Sequence, residues 1–385
     1  MNKKLLHFGM LAGLFSIGTT ALAQPQFGAS QNNPFSLTDI GDWSAPEFVD
    51  LDNDGDLDVM AGEQGGDWYY FENTGTATAP AFAAAVNNPF GLTTIGTTSS
   101  CDFGDMDDDG DLDLVGLEMG GAFKYFENTG SVSAPAFGGV QTNPFGLTSS
   151  GPGVYHPTVG DIDGDGANDI MPGTIGGDFK LYRNVGTAAA PAYGPVATNP
   201  FGLANQGSLA SPEFGDLDMD GDLDIISGEN SGTGDFKYYE NTGSASGPTW
   251  AAVVTNPFSL TAIGGNVMEP SFGDLDDDTD LDLIVGNTTG GFYYFENTSI
   301  NAGVTETALT AVSIWPNPTN GMLTVSLDKT DKASYSVSNL AGQVIAKGTL
   351  ESVTSVVDLT SVQTGIYLMA IENKGKTTVH KVVVK

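Results

Sequence analysis

Asp50-Leu51-Asp52-Asn53-Asp54-Gly55-Asp56-Leu57-Asp58 puts five carboxylates into nine residues, with a glycine at the sixth place. The pattern returns as Asp105-Met106-Asp107-Asp108-Asp109-Gly110-Asp111-Leu112-Asp113 and as Asp161-Ile162-Asp163-Gly164-Asp165-Gly166-Ala167-Asn168-Asp169. Two more copies carry Asp216, Asp218, Asp220, Asp222 and Asp224, then Asp274, Asp276, Asp278, Asp280 and Asp282. Carboxylates at alternate places around a glycine turn suit a hard cation that takes six or more oxygens. Without one, two carboxylates about 4 Å apart repel by roughly 1 kcal/mol in water and about 4 kcal/mol at an intermediate dielectric. Several such pairs in each of five loops would exceed a domain's net stability of about 5–15 kcal/mol. Calcium is expected over magnesium, because the ligands are many, anionic and on a flexible loop.

The motifs begin at positions 50, 105, 161, 216 and 274, a step of 55 to 58 residues. Asn-Pro-Phe keeps the same beat at 33–35, 88–90, 143–145, 199–201 and 256–258, and an aromatic segment follows each acidic loop. Such a period signals a propeller, solenoid or array. Each unit holds four short apolar or aromatic runs between Gly, Asn, Asp and Pro, with no helical periodicity. In the first unit strands are expected at 45–49, 58–61, 68–72 and 79–84, and four antiparallel strands in about 55 residues make one propeller blade. The fifth unit lacks the Ala-Pro-Ala-Phe run that follows units one and two, at 79–82 and 134–137. Gln24-Pro25-Gln26-Phe27-Gly28 aligns with Ala134-Pro135-Ala136-Phe137-Gly138 and supplies it. The expected fold is therefore all-β: a five-bladed β-propeller closed by an N-terminal strand, followed by a small C-terminal β-sandwich.

The remaining features set the surroundings. Lys3 and Lys4 precede an apolar run, and Ala21-Leu22-Ala23 is a small-residue cleavage pattern, so residues 1–23 read as an export signal. No later apolar run approaches the roughly 18 residues of a membrane-spanning helix, so no transmembrane segment is expected. Residues 24–300 hold 42 acids and four bases, whereas 301–385 hold six acids and seven bases. That contrast separates a propeller domain (24–300), a linker (301–310) and a C-terminal domain (311–385). An almost wholly acidic surface excludes a nucleic-acid partner. A lone cysteine, Cys101, cannot form an internal disulfide and reads as a buried small residue.

The loops, each followed by an apolar strand and Gly, resemble FG-GAP or VCBS repeats, the calcium-bearing blades of integrin α-subunits and of many bacterial surface proteins. The resemblance implies side-chain coordination from places one, three, five and nine and from the backbone carbonyl of place seven, with up to five calcium ions. In unit one those residues are Asp50, Asp52, Asp54 and Asp58, with the carbonyl of Asp56. Units two and four map onto Asp105, Asp107, Asp109 and Asp113 with Asp111, and onto Asp216, Asp218, Asp220 and Asp224 with Asp222. Unit three keeps Asp161, Asp163, Asp165 and Asp169 but has Ala167 at place seven. Unit five has Thr279 in place of glycine among Asp274, Asp276, Asp278, Asp280 and Asp282, so a strained turn and the weakest site are expected there.

The tail resembles the type A (Por) sorting domain of the Bacteroidetes type IX secretion system. The matching pieces are Ile314-Trp315-Pro316-Asn317-Pro318, Val337 to Gly342, Gly365-Ile366-Tyr367 and His380-Lys381-Val382-Val383-Val384-Lys385. This implies recognition by that machinery and release outside the cell or attachment to its outer surface.

No catalytic constellation is legible. His156 stands alone in the repeat region and reads as a packing or surface residue, and the abundance of acids makes any carboxylate pairing possible. Trp68, Phe71, Tyr125, Tyr182, Tyr239 and Phe295 read as packing between blades, while Glu63, Glu118, Thr174, Glu229 and Asn287 form a polar ring able to meet a ligand. The expectation is a non-enzymatic binding or adhesion module for a glycan or an extracellular protein. A polysaccharide lyase or hydrolase on the same scaffold, and a structural coat protein, are the competing readings.

Overall fold

The computed structural model describes residues 24–230, 232–264, 269–299, 313–327, 333–339, 344–350, 352–360, 362–373 and 376–385. The expected signal at 1–23 and linker at 301–310 lie outside the described residues. Two compact units emerge, one holding the repeats and one the C-terminal segment. Among the described residues there is no α-helix, and no helix is long and apolar enough to cross a membrane.

In unit one, Ala45–Val49, Asp58–Gly62, Trp68–Phe71 and Val86–Asn87 pair in chain order into an antiparallel sheet. Units two and four repeat this with Ser99–Gly104, Asp113–Glu118, Phe123–Phe126 and Gln141–Thr142, and with Ser211–Gly215, Asp224–Gly228, Phe236–Tyr239 and Val254–Thr255. In unit three, Val154–Gly160 pairs with Asp169–Thr174 and Lys180–Leu181 with Ala197–Thr198; bridges Ile170–Tyr182 and Gly173–Phe179 join the pairs. Unit five contributes Glu269–Gly273, Asp282–Gly286 and Phe292–Phe295, and its fourth strand is the N-terminal Gln31–Asn32.

The first expected strand coincides with the observed one, but the fourth does not. Residues 79–84 form only the isolated bridges Thr76–Ala79 and Asn73–Phe82, and the ladder resumes at Val86–Asn87. Backbone bonds still tie this stretch to the end of the third strand, from Thr74 N to the Ala81 carbonyl and from Ala83 N to that of Glu72, without growing into a ladder.

Both asparagine landmarks are hydrogen-bonding devices. The Asn-Pro-Phe asparagine stands in the left-handed region (Asn88 at φ 44), and its Oδ1 accepts the N–H that opens the third strand. Trp68 N donates to Asn88 over 3.0 Å, Phe123 N to Asn143 over 2.9 Å and Phe292 N to Asn33 over 2.8 Å. The asparagine ending the third strand accepts twice: Asn128 Oδ1 takes Gly130 N and Ala136 N, both at 3.0 Å. In unit five, Asn297 Oδ1 accepts Ser299 N at 3.1 Å and, from the other end of the chain, Gln26 N at 3.0 Å. Gln26 thus stands where Ala136 stands in unit two. Gly28 N donates to the Glu296 carbonyl, as Gly138 N does to Glu127.

Units touch through aromatic edges. Trp68 meets Phe126, Phe123 meets Tyr182, Phe179 meets Tyr239, Phe236 meets Phe295 and Phe292 meets Phe71, all T-shaped with centroids 4.9–6.4 Å apart. All ten rings are buried. The first strand of each unit packs against that of the next, and Glu269–Gly273 packs against Ala45–Val49. Side chains meet the unpaired N–H groups of these sheet edges. Asp102 accepts from Val159 N at 2.6 Å, Thr158 from Phe214 N at 3.2 Å and Ser271 from Phe48 N at 3.0 Å.

Glycine is required where second strands meet the next unit. A Cβ on Gly62 would lie 2.1 Å from the Ser99 carbonyl oxygen, one on Gly173 2.0 Å from that of Ala210, and one on Gly286 1.9 Å from that of Ser44.

The C-terminal unit has two sheets. Ser313–Trp315, Met322–Ser326 and Thr354–Asp358 form one; Val344–Leu350, Ala333–Asn339, Gly365–Asn373 and Lys376–Val384 form the other. Leu323, Val325 and Val357 from the first share a core with Val337, Met369, Ile371 and Val382 from the second.

Since backbone rather than a flexible side chain opposes a Cβ at position 286, Gly286→Ala should cost about 2–3 kcal/mol. Thermal unfolding of the variant would check this, with an unchanged melting temperature as the contrary result.

Candidate metal centres

Each acidic loop leaves the first strand of its unit, reverses, and enters the second. The reversal needs two left-handed residues. Place four takes φ values of 58–68° at Asn53, Asp108, Gly164, Met219 and Asp277, while place six is glycine at 89–101° in four loops. Thr279 stands at φ 81° in the fifth, a costly conformation for a β-branched residue.

Place one ties the loop to itself. Asp105 accepts from Asp109 N and Gly110 N at 3.2 and 3.1 Å, Asp161 from Asp165 N and Gly166 N at 3.0 and 2.8 Å, and Asp274 from Asp278 N and Thr279 N at 3.0 and 3.2 Å. Place nine ties the loop to its sheet. Asp58 accepts from Leu51 N (3.3 Å), the Tyr70 hydroxyl (2.7 Å) and Asn73 N (2.8 Å); Asp113 accepts from Met106 N, Tyr125 and Asn128 N at 3.2, 2.9 and 2.7 Å.

The carboxylates that remain converge. Oxygens of Asp50, Asp52 and Asp54 lie within 4.8 Å of one another, as do those of Asp105, Asp107 and Asp109, of Asp216, Asp218 and Asp220, and of Asp161, Asp163 and Asp169. Buried oxygens without a hydrogen-bond partner mark every loop: Oδ1 of Asp50 and Asp56, of Asp107 and Asp111, of Asp163, of Asp216 and Asp222, and of Asp276 and Asp280, with Oδ2 of Asp169. Place seven is thus more than a backbone carbonyl. In four loops its side chain is itself buried with Oδ1 unpartnered, while Oδ2 of Asp280 accepts from the Ser299 hydroxyl at 2.9 Å.

Burial and crowding raise these acids. Burial, reinforced by the neighbouring aspartates, pushes Asp56 and Asp111 up to about 6 and Asp222 and Asp280 to about 7. Burial raises Asp58, Asp113, Asp169 and Asp224 to about 7 and Asp282 to about 8, against the lowering effect of their hydrogen bonds.

Loop three differs in charge. Where the other units carry Glu72, Glu127, Glu240 and Glu296, it carries Arg183, whose guanidinium pairs with Asp163 through Nε and with Asp165 at 3.4 Å. Aligning the five repeats at this place would have disclosed the exchange.

The polar ring expected from the sequence works as turn caps and ion pairs. Glu63 accepts from Gly65 N and Asp67 N, Thr174 from Asp178 N and Asn287 from Thr289 N, while Glu229 pairs with Lys237 at 2.8 Å and Glu118 with Lys124 at 3.8 Å. Trp68, Phe71, Tyr125, Tyr182, Tyr239 and Phe295 are all buried, as is Cys101. A second cluster went unread. His156 is fully buried between Glu213 and Glu269, and although burial by itself would lower its pKa, these two carboxylates raise it to about 10.

Comparisons with known proteins place the two halves. The FG-GAP-like repeat family matches residues 50–116, 105–172 and 216–285, together half of the chain, and the secretion system C-terminal sorting domain matches 313–385. No curated protein matches. Among solved structures, PorZ, described as an essential bacterial surface component of the type IX secretion system of Porphyromonas gingivalis, is 15% identical with a TM-score of 0.32. That match covers 88% of this chain but 44% of PorZ, so the chain spans under half of its length. Sqt1 of Saccharomyces cerevisiae is 12% identical, with 94% and 89% covered and a TM-score of 0.31. The TcdB2-TccC3-Cdc42 structure is 13% identical, with 91% and 21% covered and a TM-score of 0.38. The chain belongs to the FG-GAP-like repeat family and is a secreted surface protein whose C-terminal sorting domain serves the type IX secretion system.

Proposed function

We propose that the repeats form a closed five-bladed propeller, held rigid by calcium in its acidic loops, that acts at the cell surface as a non-enzymatic binding or adhesion module for a glycan or an extracellular protein. The observation that carries the calcium assignment is the set of buried carboxylate oxygens without a hydrogen-bond donor in every loop. A divalent cation at places one, three and five, with the buried place-seven side chain close by, would supply the missing partner, and place nine would orient the loop through its own hydrogen bonds. Closure is supported by the aromatic pair Phe292–Phe71 and by the pairing of Gln31–Asn32 with the last sheet. The non-enzymatic reading is supported by the burial of a cluster that breaks the repeat, His156 with Glu213 and Glu269, which offers a polysaccharide no exposed reacting group.

In loop three the Arg183 guanidinium already neutralises Asp163 and Asp165, so this loop binds calcium more weakly than loops one, two and four. Arg183→Glu restores the acid found in the other units and should add one calcium equivalent by calorimetric titration. An unchanged stoichiometry would contradict this role for Arg183.

Calcium removal has a signed pH dependence. The place-seven and place-nine aspartates are raised above their ordinary value of 3.8 to about 6–8. The native state without metal therefore binds more protons than the unfolded chain, and its stability falls as pH rises through that range. Chelated protein should melt at progressively lower temperature from pH 5 to pH 8, whereas at 100 times the dissociation constant calcium should add about 2.7 kcal/mol per site. Melting curves that ignore both chelator and pH would refute the assignment.

The module itself is tested by a panel of extracellular polysaccharides and surface proteins, probed for binding and for product release with and without calcium. Calcium-dependent retention without products is expected. Product release would establish the enzymatic alternative, and empty panels with strong self-association would favour a structural coat.

A further inference from the structure

The first strands of the five units carry a second set of ionisable side chains, two levels deep. Three residues before each acidic loop stand Glu47, Asp102, Thr158, Glu213 and Ser271; five residues before stand Ala45, Ser100, His156, Ser211 and Glu269. All ten are buried. Of the four carboxylates, Glu47, Glu213 and Glu269 gather around one histidine, and the bases of the repeat region are engaged elsewhere: Lys124 with Glu118, Lys180 with the Ser150 carbonyl, Arg183 with Asp163 and Lys237 with Glu229. Carboxylates gathered away from water cost several kcal/mol per ion, which favours uptake of a proton or a cation at the histidine.

Three observations choose the cation. Ligand atoms of Glu47, His156 and Glu213 lie within 4.8 Å of one another, with His156 Nε2 3.6 Å from Glu213 Oε2. That separation is too long for a hydrogen bond. It is close to the roughly 3.4 Å between neighbouring ligands of a tetrahedral ion with bonds of about 2.0–2.1 Å. Next, neither ring nitrogen of this fully buried imidazole has a hydrogen-bond partner. Nδ1 faces Glu269 Oε2, also at 3.6 Å, so a small inward shift gives that carboxylate the Nδ1–H while Nε2 turns to the ion. Last, the backbone is distorted for the histidine alone. The pairing register shifts between Tyr155 and Pro157, and His156 sits at φ 41°, whereas the other four first strands pair without a shift. A bulge that turns one side chain inward, at the expense of a left-handed non-glycine residue, marks a functional position.

We propose that Glu47, His156 and Glu213 bind a single divalent transition-metal ion of the zinc class, with Glu269 as the positioning residue that orients the imidazole. An imidazole among the ligands selects against calcium, which takes oxygen only, and suits zinc or its neighbours. The ion displaces the proton that His156 otherwise holds between its two glutamates. Tyr155 and Leu209, with Trp43 packed on Tyr155, form an apolar cluster beside the site, so the ion enters while the units assemble. This centre is chemically separate from the acidic loops and stands whether or not those loops bind calcium.

The test uses full-length protein refolded with excess calcium and either zinc or cobalt, then dialysed against calcium alone. Elemental analysis should find about one equivalent of zinc, and the cobalt form should show the visible absorption of a low-symmetry site. His156→Gln and Glu213→Gln should lose the ion, while Glu269→Gln should retain it with affinity lowered about 10- to 100-fold. Should the buried variants fail to fold, X-ray absorption at the zinc edge of the unaltered protein decides. One imidazole in an otherwise oxygen shell supports the site, and an all-oxygen shell places zinc in the acidic loops and overturns it. Folded wild-type protein that retains no zinc, or His156→Gln protein that retains it, overturns the proposal too, leaving an imidazolium clamped by Glu213 and Glu269.

Discussion

Edge-to-face contact between the third strands of successive units is the interaction on which the repeat region depends. One unit offers an isolated sheet of four short strands, which is marginal in water because neither face is covered. Each T-shaped pair, such as Phe123 with Tyr182, adds about 0.5–1.5 kcal/mol beyond its buried area. More important, it fixes the angle between neighbours, because a ring that meets another edge-on cannot slide without losing the contact. The glycines at 62, 173 and 286 allow the backbones to come close enough for those rings to meet.

The acidic loops follow from the same arrangement. A place-nine aspartate such as Asp58 holds the start of its loop, the tyrosine of the third strand and the asparagine that ends it. That carboxylate ties loop to sheet, and its loss would loosen both together. Places one, three and five crowd together, and one or more buried oxygens in each loop have no hydrogen-bond partner. A chain with a single cysteine has no disulfide with which to cross-link these loops. Crowded carboxylates, costly alone, become a cross-link once a cation is among them.

Much of this was legible in the sequence because its signals are local and repeated. The step of 55 to 58 residues marks the units, Asp50 to Asp58 fixes one hairpin, and 45–49 is a strand as expected. The fourth strand was displaced because the run at 79–84 looked extended, while it forms only isolated bridges and the ladder resumes at Val86–Asn87. Arg183 was hidden by its ordinariness: only beside Glu72, Glu127, Glu240 and Glu296 does its sign stand out. His156 read only as a packing or surface residue, and the cluster around it was not legible. Its partners Glu47, Glu213 and Glu269 come from three other units, and a backbone bulge that no composition announces turns its ring toward them.

The outer strand of the last sheet comes from the opposite end of the chain, with Gln26 and Asn297 separated by 271 positions. Most strand pairs of the repeat region join chain neighbours, but contacts as distant in sequence as this one form slowly because a long loop must close first. Sheets one to four can each collapse from neighbouring residues, but the fifth keeps an open edge until the first residues return to it. Completion of the last sheet therefore waits on that loop closure. A chain stalled before it presents the Phe292–Phe295 edge to any strand in reach, including the N-terminal strand of another copy, so the same pairing that finishes one molecule is a route to exchanging strands between two.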